Sequence, residues 1–74
     1  MTRRLSELRP GQSGTVVSIE SRSVSRLDRL SMMGMTPGFE VTLEQRRPAY
    51  VVRVGFTELS IEREVADEIM IETD

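Results

Sequence analysis

The groups able to do chemistry in this 74-residue chain are ten arginines, twelve carboxylates and a scatter of hydroxyls; cysteine, histidine and lysine are all absent. Nucleophilic catalysis needs an activated Ser, Thr, Cys or Lys beside a base that takes its proton. The serines here have no such base, and none stands in a strand–turn–helix elbow. Paired carboxylates act as acid and base only in a cleft that drives their pKa values apart. Glu58, Glu62, Glu64, Asp67, Glu68 and Glu72 read instead as the solvated sides of strands and a turn. A protein that is not an enzyme is expected. The commonest transition-metal ligands are missing. Met32, Met33 and Met35 carry thioethers that suit a soft metal, but packing accounts for them: Met33 falls on an apolar stripe, Met35 closes a helix stop, and methionine fills irregular gaps in small cores. Neither a metal site nor a cofactor is expected. Gly11 and Gly14 open a strand rather than a helix, and no lysine follows, so no phosphate-binding loop is read there.

Recognition through arginine remains. Residues 1–47 hold eight arginines against five acids, and residues 48–74 hold two against seven. Such an imbalance reads either as a solvated surface in a chain that favours arginine or as a bipolar surface that orients the protein against a partner or against a copy of itself. Arg22, Arg26 and Arg29 sit on or beside a helix candidate, and Arg46 and Arg47 in a connecting loop. These five are the candidate partner-binding residues. The net charge of −2 argues against nucleic acid, which selects a clear positive excess. Binding to single strands also needs exposed aromatics among cations, whereas Phe39, Tyr50 and Phe56 each alternate with apolar positions and read as core.

The elements that must hold these arginines are short. Leu8-Arg9-Pro10-Gly11 and Met35-Thr36-Pro37-Gly38 place Pro where φ is fixed and Gly where φ turns positive, a type II turn signal used twice to launch a strand. Strand periodicity follows over Gly14–Glu20, with Thr15, Val17 and Ile19 on one face. A helix is expected over Val24–Met33, with Leu27, Leu30 and Met33 on one stripe and Ser23 or Ser25 at its start. Gly34 stands at the left-handed position after it, and Leu30 and Met35 form the apolar pair that closes a Schellman motif. Further strands are read at Phe39–Leu43, Tyr50–Val54, Leu59–Ile61 and Ile69–Ile71, with a tight turn at Gly55 and a helical turn over Arg63–Asp67. The expectation is one domain over residues 1–74, mainly β: about five short strands and one helix in a small closed or half-closed barrel. Apolar runs are far shorter than a membrane span needs, and no apolar leader follows Met1. A cytoplasmic protein without membrane insertion is expected.

The order of these pieces resembles the FeoA family of small ferrous iron transport accessory proteins. The opening Leu5-Ser6-Glu7-Leu8-Arg9-Pro10-Gly11-Gln12-Ser13-Gly14 is similar to that family's start. Leu30-Ser31-Met32-Met33-Gly34-Met35-Thr36-Pro37-Gly38-Phe39-Glu40-Val41 resembles its most specific signature, and Leu59 to Glu72 its ending. The resemblance implies an SH3-like five-stranded β-barrel with one inserted short helix. It implies a cytosolic accessory role beside FeoB, the ferrous iron permease with a cytosolic GTP-binding domain. A related fold closes the iron-dependent repressors, which keeps open an alternative: a self-associating adaptor or regulatory module that forms homo-oligomers. Leu30, Gly34, Met35, Pro37 and Gly38 are read first as architecture, since each meets a packing or backbone demand without any partner.

Overall fold

The computed structural model describes residues 1–73. Its strands are β1 (Thr2–Arg4), β2 (Ser13–Ile19), β3 (Glu40–Gln45), β4 (Tyr50–Val54), β5 (Thr57–Ile61) and β6 (Ile69–Glu72). Two helices, α1 (Val24–Met32) and α2 (Arg63–Glu68), and a 3-10 turn over Leu5–Glu7 complete the chain. The strands form one antiparallel sheet in the order β1-β6-β2-β3-β4-β5.

The two Pro-Gly turns hold the centre of this sheet. Gly11 and Gly38 have φ of +91° and +97°. Each turn closes with a hydrogen bond across it, from Gln12 N–H to Arg9 O at 2.9 Å and from Phe39 N–H to Thr36 O at 3.2 Å. The turns then clamp opposite ends of the β2–β3 ladder. Gly11 N–H donates to Leu43 O and Leu43 N–H to Gln12 O, at 2.6 and 3.0 Å. At the other end Gly38 N–H donates to Val16 O and Val16 N–H to Phe39 O, at 2.8 and 2.9 Å. The two ends match, so the ladder has a local two-fold symmetry that a repeated Pro-Gly step encodes.

Helix α1 starts where Ser23 accepts from Arg26 N–H at 3.2 Å and stops at a Schellman motif. Met35 N–H donates to Leu30 O at 2.9 Å and Gly34 N–H to Ser31 O at 3.0 Å, with Gly34 at φ +89°. Leu30 and Met35 are fully buried beneath this cap, with Val16, Val41, Leu43, Val52, Ile69 and Ile71. Burying a side chain of this size is worth about 1.5–3 kcal/mol. The third strand element of the core is a close approach: a Cβ on Gly14 would stand 2.2 Å from Ile71 Cγ2 and 2.8 Å from Glu72 O. Only glycine lets β6 lie this tightly against β2.

Several expectations are corrected. The sheet has six strands, not five, because β1 carries no apolar alternation and is held only by pairing Thr2, Arg3 and Arg4 with Glu72, Ile71 and Met70. The pairing continues beyond the strands, where Thr73 N–H donates to Met1 O at 2.9 Å and the Met1 amino group to Thr73 O at 2.7 Å. The sheet does not close into a barrel: β5 pairs only with β4, and β1 only with β6. Between these edges α2, a full second helix, packs on the 3-10 turn, and the Ser6 hydroxyl donates to the Asp67 carboxylate. A helical turn stands where a closing ladder would run. Phe39 and Phe56 are not core; they are 55% and 103% exposed. Phe39 lies in the turn before β3, and Phe56 in the two-residue turn between the paired Val54 and Thr57, where no inner face exists. In β2 a bulge between Val16 and Ser18 breaks the alternation, so Val16 is buried and Val17 faces out, although Ile19 packs inward. Met33, at the end of the helical stripe, is 39% exposed.

Two measurements check this account. Gly14→Ala is expected to cost about 1–3 kcal/mol by overpacking, read as a lower urea midpoint with an unchanged slope. The second concerns Glu72, whose carboxylate accepts from the Thr2 hydroxyl at 3.0 Å and lies 3.2 Å from the Met1 amino group. These contacts, the hydroxyl first, hold its pKa below the usual carboxylate value. A lowered pKa adds stability above the unfolded-state value and loses it as the pH falls through the folded one. Thermal melts should therefore separate the protein from Glu72→Gln at neutral pH and converge as acid protonates the carboxylate.

Candidate functional site

Strand β3 ends at Gln45, and Arg46-Arg47-Pro48-Ala49 carry the chain into β4. Tyr50 pairs with Ile61, which brings this loop against the end of β5 and the start of α2. The result is an open cleft of about 530 Å³ lined by the loop, Tyr50, Ser60, Ile61, Glu62 and Arg63. Tyr50 is buried in the core and forms a fixed floor. The Arg46 guanidinium lies over its ring, 5.8 Å from the centroid, with Nη2 3.4 Å from the phenol oxygen. A cation–π contact of this exposed kind is worth about 0.5–1 kcal/mol and limits where the guanidinium can go.

Pairing separates the arginines into two sets. Arg53 is engaged on the outer face of the sheet, where its guanidinium bonds Glu44 at 2.6 Å and Glu58 at 2.8 Å. The hydrogen bond to Glu44 is the chief cause that raises the Arg53 pKa above its ordinary value. Arg26 bonds Glu68 at 2.6 Å, with both side chains about a quarter exposed (28% and 27%). By contrast, Arg29, Arg46, Arg47 and Arg63 form no ion pair among the described residues. The cleft therefore holds three uncommitted guanidinium groups and one carboxylate, Glu62.

A second hollow, of about 170 Å³, borders the first along the shared backbone of Ser60, Ile61 and Glu62. Arg29, Leu30 and Met33 of the α1 region line it together with Ser60, Ile61, Glu62 and Val65. Ser60–Glu62 is thus a ridge with Arg29 on one side and Arg46, Arg47 and Arg63 on the other. Of the five arginines singled out in the sequence, the structure brings Arg29, Arg46 and Arg47 to this ridge. Arg26 is tied to Glu68, and Arg22 is exposed ahead of α1 and lines neither hollow. Arg63 was missed because it sits between Glu62 and Glu64 and reads as part of an acidic stretch. Its signal was its place two residues after the inward Ile61, at the end of a strand.

The central motif occupies a different part of the molecule. Met35 and Pro37, with Ile19, Leu27, Ser31 and Thr36, line a shallow apolar hollow of about 260 Å³, and Leu30, Gly34 and Gly38 take the packing and backbone positions described above. No cluster of three or more metal-binding side chains occurs among the described residues. Nor is any described helix long and apolar enough to cross a membrane.

Comparison with known proteins bears on what such a site serves. A family model described as "FeoA domain" matches residues 3–73. A protein of Leptolyngbya boryana named putative Fe(2+) transport protein A is 34% identical over 65 residues, covering 86% of this chain and 79% of its own. The crystal structure of an iron uptake regulatory protein (FeoA) superposes with a TM-score of 0.86 at 30% identity, over 97% of this chain and 96% of that one. A manganese-dependent transcriptional repressor shares the fold alone, with a TM-score of 0.90 at 20% identity, over 99% of this chain and 42% of the repressor.

The division into paired and free arginines is testable on the protein by itself. Arg26→Glu sets two carboxylates against each other and is expected to cost about 1–2 kcal/mol, whereas in urea unfolding Arg47→Glu should stay within about 0.5 kcal/mol of the parent and Arg46→Glu should lose only the roughly 0.5–1 kcal/mol of its contact with Tyr50.

Proposed function

The chain belongs to the FeoA family, whose SH3-like fold it shares, and from that premise we propose that it is a non-catalytic cytoplasmic accessory of ferrous iron uptake. In this reading it docks on a FeoB-type permease at the cytosolic GTP-binding domain, through the arginine-lined end of β5. The observation that carries the reading is the convergence of Arg46, Arg47 and Arg63 on one cleft without ion-pair partners among the described residues. Uncommitted surface arginines destabilise little when lost, yet steer association and fix its orientation. Arg22 and Arg29 extend the positive field along the α1 side, and Arg26 contributes through its place on the fold rather than as a free charge.

The open edge of β5 favours a second reading, in which the domain works as a self-associating regulatory module by strand addition. The likeness to the repressor fold is compatible with it. Sedimentation separates the two, since self-association raises the mass with concentration in the absence of any partner.

The decisive experiment titrates this protein against the isolated GTP-binding domain of its cognate permease in GTP-analogue, GDP and empty states. Saturable, salt-sensitive binding is expected, with Arg46→Glu combined with Arg47→Glu weakening it at least about tenfold, or roughly 1.4 kcal/mol. No binding in any nucleotide state, or binding indifferent to those substitutions, overturns the proposal.

A further inference from the structure

Strand β5 is an edge. Counted from the two-residue turn at Gly55-Phe56, the pairs Val54–Thr57, Val52–Leu59 and Tyr50–Ile61 are those that exchange ladder bonds with β4. Glu58 and Ser60 therefore turn their backbone N–H and C=O outward, and neither has a backbone partner beyond the sheet among the described residues. Folded proteins usually guard such an edge with lysine, proline or an inward charge. The segment Thr57–Ile61 has none of these. Its one charge, Glu58, is bonded at 2.8 Å to Arg53, which it shares with Glu44; this lessens, without removing, the repulsion an approaching acidic group would meet.

The end of this open edge is the ridge Ser60–Glu62, where four arginines without ion-pair partners among the described residues outnumber the single carboxylate, Glu62. Side chains of an extended peptide alternate between two faces. A strand added along β5 sends one set of side chains toward Arg46, Arg47 and Arg63 and the other toward Arg29. Carboxylates are the groups that fork-shaped guanidinium ions recognise best on a peptide. We propose that β5 takes an extended acidic peptide segment of the docking partner as an added strand, its backbone bonded to Glu58 and Ser60 and its carboxylates held between the two arginine walls. This deepens the docking reading above and rests on it.

A second copy of this chain suits the edge less well. Antiparallel pairing of two β5 strands about Leu59 sets Glu58 of one beside Ser60 of the other, but that carboxylate is already held by Arg53. The copy brings no free anion to the cleft, and four guanidinium groups stay unpaired.

The test uses fluorescein-labelled hexaglutamate as the probe and reads fluorescence anisotropy with the intact protein. An otherwise identical peptide, N-methylated at alternate residues, keeps every charge and loses the N–H groups that a ladder needs. Hexaglutamate is expected to bind saturably. The methylated peptide should bind about tenfold more weakly, and Arg29→Gln and Arg63→Gln, on opposite walls, should each weaken hexaglutamate about threefold to tenfold. Circular dichroism of both variants establishes that they are folded. Equal binding of the two peptides overturns strand addition. Displacement of hexaglutamate by millimolar inorganic phosphate at constant ionic strength overturns it in favour of a simple oxyanion site. A dimer in sedimentation that hexaglutamate leaves intact overturns it in favour of a second copy. If the permease domain binds and hexaglutamate does not, the inference fails while docking stands. If hexaglutamate binds and the permease domain does not, docking fails and the acidic segment belongs to another protein.

Discussion

Everything else in this molecule depends on the clamped ladder between β2 and β3. Two strands of six or seven residues, far apart in the chain, would pair weakly on side-chain contacts alone. The Pro-Gly turns restrict the backbone before pairing begins and supply hydrogen bonds of 2.6–3.0 Å at both ends. Each turn also does a second job. The first delivers the buried Leu8 beneath the sheet. The second receives the chain from the α1 stop, so that the Schellman bond from Met35 to Leu30 sets the direction in which β3 starts. Once β2 and β3 are fixed, β4 follows as a hairpin from β3, and β6 is drawn against β2 through the gap that Gly14 leaves.

This order of assembly leaves the two ends of the sheet in different conditions. At one end β1 and β6 are short, mutually paired and backed by the 3-10 turn. At the other, β5 carries an unpaired row of backbone groups beside a concentration of free arginine. Among the described acids of the C-terminal third only Glu62 lines that cleft, and four others are directed elsewhere by the fold. Glu58 goes to Arg53, Glu68 to Arg26, Glu72 to Thr2 and Met1, and Asp67 to Ser6. Charge balance along the chain thus differs from charge balance in space.

Local chemistry was legible in the sequence wherever a single backbone demand was enough. The Pro-Gly turns, the α1 stop at Gly34, the inward faces of β4 and β6 and the helical turn after β5 all rest on short-range rules. The elements that were not legible depend on neighbours. β1 has no hydrophobic signature and exists because β6 offers an edge. The outward Phe39 and Phe56 continue an apolar alternation past the point where there is a core to receive it. The bulge at Val17 answers the register of β6, which nothing in Gly14–Glu20 announces. Three of the five arginines named from the sequence meet at one place. Which of them are free could not be read, because the partner of Arg26 lies 42 residues away. Arg63 was hidden for the same reason: neighbours in sequence suggested an acidic run, while neighbours in space are arginines.

The exchange of hydrogen bonds between Met1 and Thr73 has a topological consequence. The two ends of the described chain leave the domain side by side, from the β1–β6 border and not from β5. A covalent linkage at either point, or a loop joining both, would pull on the same corner of the sheet and leave the β5 rim unobstructed. The unit is in this sense modular: it can be strung within a longer polypeptide, or rejoined as a circular permutant, without altering the surface that it presents outward.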